Sequence, residues 1–474
     1  MPTSPNLLYS PPAPFLFFNS LSLLSMPFSL PKLFPCNTST STPLQNLSTN
    51  TKPDSNPNPN PNALSTPSTS SRSLTSFSSS TSSSPVTTAM SDDATSVLTF
   101  PSLPSLQCLL PSSTSPISTS FLHLTSLKPL STASTTTSPP ALTISQSSLL
   151  LFTATPSTLA TYDLTSLDLV SSHPLAPSAG AVKSLVILPK SHGLLSAHQD
   201  TLLRLWRHSS RSGDLRLAGS LPTLSDRLLR LPFPKNYTLI RRHHKRLWIQ
   251  HADTVSALAT AGEYIYSVSW DKTLKIWRTS DLRCVQSIVA HDDAINALAI
   301  APDGTVYTGS ADTKIRAWSR APDEKKHALV ATFDRHRSAV NALAISNDGS
   351  VLYSGANDRS IIVWEREESA NHLAVVGALR GHGKAILCLA SVGDMLFSGS
   401  SDRTVRIWRR GREGREYSCL AVMAGHVSVV RSIVAVQMPK EKPGTAESEE
   451  EYRVCSGSFD GEVRVWKVRI SGLS

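Results

Sequence analysis

The chain has 474 residues but only six cysteines, at positions 36, 108, 284, 388, 419 and 455, and none stands near another or at ligand spacing from a histidine. A disulfide framework and a structural zinc site are therefore not expected, and a reducing compartment is. No phosphate-cradling glycine loop occurs, so no nucleotide or other cofactor is expected. Long uninterrupted apolar runs are missing too. In the apolar leader, prolines at 11, 12, 14, 27, 31 and 35 break up any stretch of the roughly 20 residues that a membrane helix needs. Acidic side chains are absent before Asp54, as in an organelle transit peptide, yet the first 35 residues also lack arginine and hold Lys32 as their one cation. A chloroplast address is therefore the alternative to a nuclear and cytoplasmic one. Translation from Met26 or Met90 would remove the leader.

Residues 1–118 are short of large apolar side chains beyond that leader. Ser, Thr, Pro and Asn dominate, with Asn and Pro alternating from Asn56 to Asn62 and a serine-rich run from Ser76 to Ser84. Such sequence buries too little apolar surface to offset its ordering entropy, so a long disordered tail is expected. The remainder, 119–474, is long enough for a large single domain.

What that remainder does contain is a repeat. Six times a Ser or Thr is followed by Asp four residues on and Trp six residues later: Ser196, Asp200, Trp206; Ser267, Asp271, Trp277; Thr308, Asp312, Trp318; Ser354, Asp358, Trp364; Ser398, Asp402, Trp408; and Ser456, Asp460, Trp466. A histidine precedes the last five sets, namely His251, His291, His336, His382 and His426, each four residues before a Val or Ile. Two fixed spacings held six times define a structural repeat of short strands with an Asp turn. Within one repeat, an indole N–H can reach the Ser or Thr hydroxyl, the hydroxyl can reach the histidine ring, and the second ring nitrogen can meet the carboxylate.

These residues resemble WD repeats of a β-propeller, most plainly in Gly381, His382, Ser398, Asp402, Trp408 and in Gly425, His426, Ser456, Asp460, Trp466. Three segments, Asp226 to Tyr237, Arg241 to Asp253 and Tyr266 to Cys284, are similar to the plant WD-repeat proteins of the JINGUBANG family. The resemblance implies an all-β, seven-bladed ring over 119–474 and a regulatory protein of nucleus and cytoplasm that works through protein partners. No Trp of the repeats is followed by Asp, so the Trp-Asp-x-Arg element of many cullin-ligase substrate receptors is missing. Ser, His and Asp are also the parts of a nucleophilic triad, but a triad is one exposed constellation beside an oxyanion hole, not five copies each bolted to a tryptophan. The repeat histidines, serines and aspartates are read as structural, with no catalytic residue.

Two blades depart from the pattern. Ser178 stands where the second blade should carry its histidine. Thr143 to Leu164 is expected to form two strands of a degenerate first blade, with Tyr162 in the tryptophan position. Only eight residues follow Trp466, too few for a turn and an outer strand. Phe121 to Leu130 is the expected closing strand, since a closed ring leaves no open sheet edge.

Charge is uneven. The segment to residue 118 has three basic and three acidic residues, which leaves 42 basic against 32 acidic in the propeller. The densest cluster, Arg241, Arg242, His243, His244, Lys245 and Arg246, falls in a basic insertion at 207–250. It is read as a solvated surface, an import or nucleic-acid patch, or a docking site for an acidic partner. Few stacking aromatics accompany it, which disfavours nucleic acid. Glu447, Glu449, Glu450 and Glu451 are expected in an acidic, mobile loop at 437–452. Loops beside the turn Asp and the histidine should share one end of the ring, which makes Trp270, Asp292, Asp293, Arg337, Asn357, Lys384, Arg431 and Phe459 the candidates for partner binding. The whole reads as a monomeric, noncatalytic scaffold for other proteins or short peptides, without metal or membrane.

Overall fold

The computed structural model describes residues 102–106, 118–128, 138–188, 193–208, 215–241, 244–321, 323–366, 373–411, 416–439 and 449–471. The disorder expected over the rest of 1–117 lies outside these residues, as do Arg242, His243 and Glu447. The described chain forms seven four-stranded antiparallel sheets and one two-stranded hairpin, a seven-bladed β-propeller.

Blade 3 shows how the sequence makes a blade. Val255–Ala261, Tyr264–Ser269, Thr273–Arg278 and Cys284–Val289 pair in chain order. The inner three are rich in β-branched and aromatic side chains that pack on both faces, and the fourth is half exposed at the rim. Where the tight turn follows Asp271, Lys272 adopts a left-handed conformation with φ of 70°, and the residue after every repeat Asp does the same. One blade cannot cover both of its faces, so neighbours must. Accordingly, each of seven apolar clusters is built from two adjacent blades. Glycine marks the closest approach: a Cβ on Gly355 would lie 2.5 Å from Cγ2 of Ile386 in the next blade.

Ring closure is made by the strand β1 (Ser118–Leu127), which pairs antiparallel with the last strand, Val463–Ser471, and completes blade 7. It starts three residues earlier than the expected Phe121, because the last strand runs nine residues and offers Ser471 to Ser118. The ring of His123 packs tilted against Trp466 at 5.1 Å between centroids, while Leu124 and Leu127 join the core between blades 7 and 1.

Four local expectations need correction. The interval Thr143 to Leu164 holds parts of three strands, not two, since Ala141–Ser145, Leu150–Ala154 and Thr158–Asp163 are short and separated by tight turns. The 207–250 interval is not all insertion: Leu215–Leu221 is the outer strand of blade 2. Behind it come helix α1 (Leu224–Arg230), capped by Thr223, and a hairpin of Tyr237–Arg241 with His244–Leu247. Glu450 and Glu451 belong to the strand Glu450–Ser458 and not to a loop, because the Glu451 carboxylate is held among Arg453, Lys467 and Arg469. Finally, residues 102–106, expected in the disordered tail, lie against blades 5 and 6, where Leu103 and Leu106 find apolar neighbours.

Candidate interaction site at the mouth of the central channel

The repeated polar residues come together inside the blades. In blade 6, Trp408 Nε1 donates to Ser398 Oγ at 2.8 Å, Ser398 Oγ lies 2.8 Å from His382 Nε2, and His382 Nδ1 lies 2.8 Å from Asp402 Oδ2. A neutral histidine protonated on Nδ1 satisfies every link, the hydroxyl proton going to Nε2. The same chain runs through Trp277, Ser267, His251 and Asp271, through Trp318, Thr308, His291 and Asp312, and through Trp364, Ser354, His336 and Asp358. Ser267, Thr308, Ser354 and Ser398 are fully buried, so their hydroxyls face indoles and imidazoles rather than a substrate. Burial pushes the Asp358 carboxyl up, but hydrogen bonds from His336 and Ser360 outweigh it and hold the group at about 2.

Blade 7 keeps the link from Trp466 through Ser456 to His426, but its last step is loose, with His426 Nδ1 3.7 Å from Asp460 Oδ2. His426, Asp460 and Glu462 also have their polar atoms within 4.8 Å of one another, a spacing compatible with a metal ion. Glu462 there accepts from Arg464 Nε at 3.1 Å, so a protein cation already serves its charge.

Blade 2 solves its missing histidine from inside. His198, two residues along the same strand, places Nε2 2.8 Å from Ser196 Oγ, which also accepts from Trp206 Nε1. Asp200 is thereby released from the network and pairs with Arg204. The sequence pattern missed His198 because it looked only ahead of the first strand. Buried, with no partner for Nδ1 among the described residues and with the Arg204 guanidinium nearby, His198 has its proton affinity pushed down to about 4 from the ordinary 6.5. Its folded-state value is the lower one, so its contribution to stability is complete above pH 6.5 and is lost as pH falls toward 4. Each histidine shifted this way adds a slope of up to about 1.4 kcal/mol per pH unit in that window. We expect denaturant titrations of the His198→Gln variant to show a shallower loss of stability between pH 6.5 and 4 than the unaltered protein; equal slopes would contradict it.

A second regularity aims side chains into the centre of the ring. In six blades the first strand carries a β-bulge one residue after its opening Val or Ile, at Lys183, Ser256, Asn296, Asn341, Leu387 and Arg431. A bulge turns the extra residue out of the pleat. All six line one cavity of about 350 Å³, together with Pro140 of blade 1, Trp270 and Phe459. Asn296 and Asn341 donate to the carbonyls of Val340 and Ile386, and Arg431 to that of Leu387, so successive blades are linked around the channel. Lys183 Nζ stands 5.8 Å above the Trp270 ring, and burial together with the nearby Arg431 pushes its ammonium below the usual lysine range. No carboxylate is among the described residues lining this cavity. Trp270 and Phe459 remain 40% and 38% exposed at its mouth.

The sequence candidates thus divide. Trp270, Arg431 and Phe459 converge on the channel mouth, and Asn357 adjoins it by accepting from Asn341 at 2.7 Å. Lys384 is exposed and is not among the residues lining the cavity, its carbonyl accepting from Ser400 Oγ. Asp292 sits on the rim paired with Arg316, Asp293 Oδ1 accepts the amide of Ala294, and Arg337 lines a separate cavity with Leu103 and Arg380. Lys183 was overlooked, although its place after Val182 repeats that of Arg431 after Val430. In the basic cluster, Arg241 and His244 flank the hairpin turn, Lys245 is exposed, and Arg246 donates to the His251 carbonyl at 3.0 Å.

A seven-bladed ring with these bolts and an open, polar-lined mouth defines a class of interaction propellers. Comparison with known proteins agrees. The WD domain, G-beta repeat family matches residues 243–278, 282–319, 327–365 and 373–409, which cover most of blades 3 to 5 and the first three strands of blade 6. An F-box/WD-40 repeat-containing protein of Arabidopsis thaliana is 28% identical over 28% of this chain and 23% of its own length. Bovine pre-mRNA-processing factor 19 is 24% identical over 27% of this chain and 24% of its own. The target of rapamycin complex subunit LST8-1 of Arabidopsis thaliana is 26% identical over 21% and 32%. The chain therefore spans between about a quarter and a third of the length of these relatives, and together the matches support a WD-repeat family for it.

Proposed function

We propose that this protein is a noncatalytic scaffold that binds other proteins, or short segments of them, at the mouth of the central channel. The observation that carries this reading is the convergence of two exposed aromatics, Trp270 and Phe459, with two cations, Lys183 and Arg431, on a cavity without carboxylates. Aromatic and arginine side chains around a desolvated centre are the groups that dominate protein-binding energetics. A partner segment that inserts an apolar side chain between the aromatics and a carboxylate toward Lys183 fits that chemistry. The resemblance to JINGUBANG-like proteins and the Arabidopsis relatives support a plant regulatory role, in nucleus and cytoplasm, with a chloroplast address the alternative. A monomer fits a ring closed on itself. A role as a ubiquitin-ligase substrate receptor, the remaining alternative, draws no support from the residues following the tryptophans.

The basic hairpin is the site of the competing nucleic-acid reading. Arg246 already serves the His251 carbonyl, and few stacking aromatics accompany the cluster, which disfavours nucleic acid. Affinity purification of the tagged chain from plant tissue, read by mass spectrometry, tests the proposal. Trp270→Ala and Lys183→Glu should each reduce recovery of the specific partners by about tenfold or more, since hot-spot losses reach 2 kcal/mol. Partners retained by both variants but lost on changing Arg241, Arg242, Lys245 and Arg246 to Ser would favour the hairpin instead.

A further inference from the structure

A second surface, away from the channel mouth and independent of the reading above, is already filled. The segment 102–106, Ser-Leu-Pro-Ser-Leu, runs parallel to the outer strand of blade 5, Leu373–Leu379, and brackets Ala378. The Leu106 amide donates to the Ala378 carbonyl at 3.2 Å and the Ala378 amide to the Pro104 carbonyl at 3.0 Å. On its other side the segment reaches blade 6, where the Tyr417 amide donates to the Leu106 carbonyl at 3.2 Å; Arg380, just past the blade 5 strand, donates to the Leu103 carbonyl at 2.9 Å. Leu106 packs against the cluster that holds Tyr353, Leu379 and Tyr417, and Leu103 against the one with Phe333 and Leu373. Gly377 makes the room: a Cβ there would come within 2.6 Å of Leu106 Cγ and 2.9 Å of the Pro104 carbonyl.

We infer that this groove between blades 5 and 6 is a docking site for an extended Leu-x-x-Leu segment, and that residues 102–106 are its resident ligand in cis, exchangeable for a partner segment of the same pattern. Three features argue for this. The outer strand of blade 5 presents a free edge, and an added strand takes its affinity from main-chain bonds and its selectivity from side-chain pockets. The two leucines are only half buried, and Ser102, Pro104 and Ser105 are exposed, so the contact is shallow compared with the blade cores. It is also sequence-selective, because two leucines three residues apart are placed in two separate apolar clusters. A tethered ligand acts at an effective concentration in the millimolar range, so a shallow site stays occupied in cis without being tight.

The test uses the full chain and a labelled peptide of residues 101–107. The unaltered protein should bind the peptide weakly. The variant Leu103→Asp with Leu106→Asp, its groove vacated, should bind it at least about tenfold more tightly, the ratio of a millimolar tether to a site of roughly 100 μM. Leu106→Ser, a milder change, should also strengthen peptide binding. Adding Gly377→Val to either should abolish it while the melting temperature stays within a few degrees. Folded, vacated variants that do not take up the peptide, or peptide binding indifferent to Gly377→Val, would overturn the inference. So would failure of both leucine variants to fold, for the segment would then be a fixed part of the blade.

Discussion

A chain begun at residue 129 is expected to be insoluble or to melt far below one begun at residue 118, which should fold. The difference between the two is β1. Without it the last strand, Val463–Ser471, keeps only one neighbour, and the described pairing from Ser118 with Ser471 to Leu127 with Val463 is lost. Trp466 loses the rings of His123 and Phe121, and the core between blades 7 and 1 loses Leu124 and Leu127. Loss of that much buried apolar surface is worth on the order of 5 kcal/mol. It also leaves an open, β-branched sheet edge, which invites pairing between molecules. Thermal melting and size-exclusion chromatography of the two variants decide the matter. Equal melting temperatures would show that the ring does not depend on its velcro-like strand.

The second large effect is Asp402→Ala, expected to cost about 2 to 3 kcal/mol while leaving the fold intact. Asp402 accepts from His382 Nδ1, from the amides of Gly383 and Thr404, and from the Thr404 hydroxyl. Burial works against the charged form, but those bonds outweigh it and hold the carboxyl well below its usual range. Removing the acceptor leaves several donors unpaired, each at a cost of about 1 kcal/mol or more where water cannot reach it. Asp200→Ala in blade 2 is the internal comparison. Among the described residues that carboxylate meets only Arg204 and the Leu202 amide, and no histidine, so its loss should cost less than about 1 kcal/mol. Chemical denaturation of both variants gives the two values; equal costs would mean that the histidine link contributes nothing.

These comparisons show where the sequence was legible. The Ser-Asp-Trp spacing located six blades because it is a buried network with fixed strand offsets, and such geometry leaves little freedom in the chain. The closing strand was legible by deficit, since eight residues after Trp466 cannot make an outer strand. His198 was not, because a substitute imidazole need only reach the same hydroxyl in space and obeys no spacing rule. Lys183 and, apart from Arg431, the other bulged residues were hidden for a different reason: a bulge has no composition of its own, and only alignment of the six Val or Ile starts brings Lys183 into one column with Arg431. The 102–106 segment looked like more of the Ser- and Pro-rich tail, and two leucines gain meaning only once a groove with Gly377 at its floor exists. Glu451 read as loop because its three cationic partners, Arg453, Lys467 and Arg469, lie on the strand itself and on the facing one.

The central claim is that partners engage the channel mouth and that the repeat polar residues merely hold the blades. Hydrogen exchange of the propeller, alone and saturated with a partner recovered by affinity purification, tests it most directly. The account predicts slowed exchange in the turns carrying Trp270 and Phe459 and in the bulges at Lys183 and Arg431, with the hairpin Tyr237–Arg241 and His244–Leu247 unchanged. Protection confined to that hairpin, with the mouth exchanging as in the free protein, would contradict it.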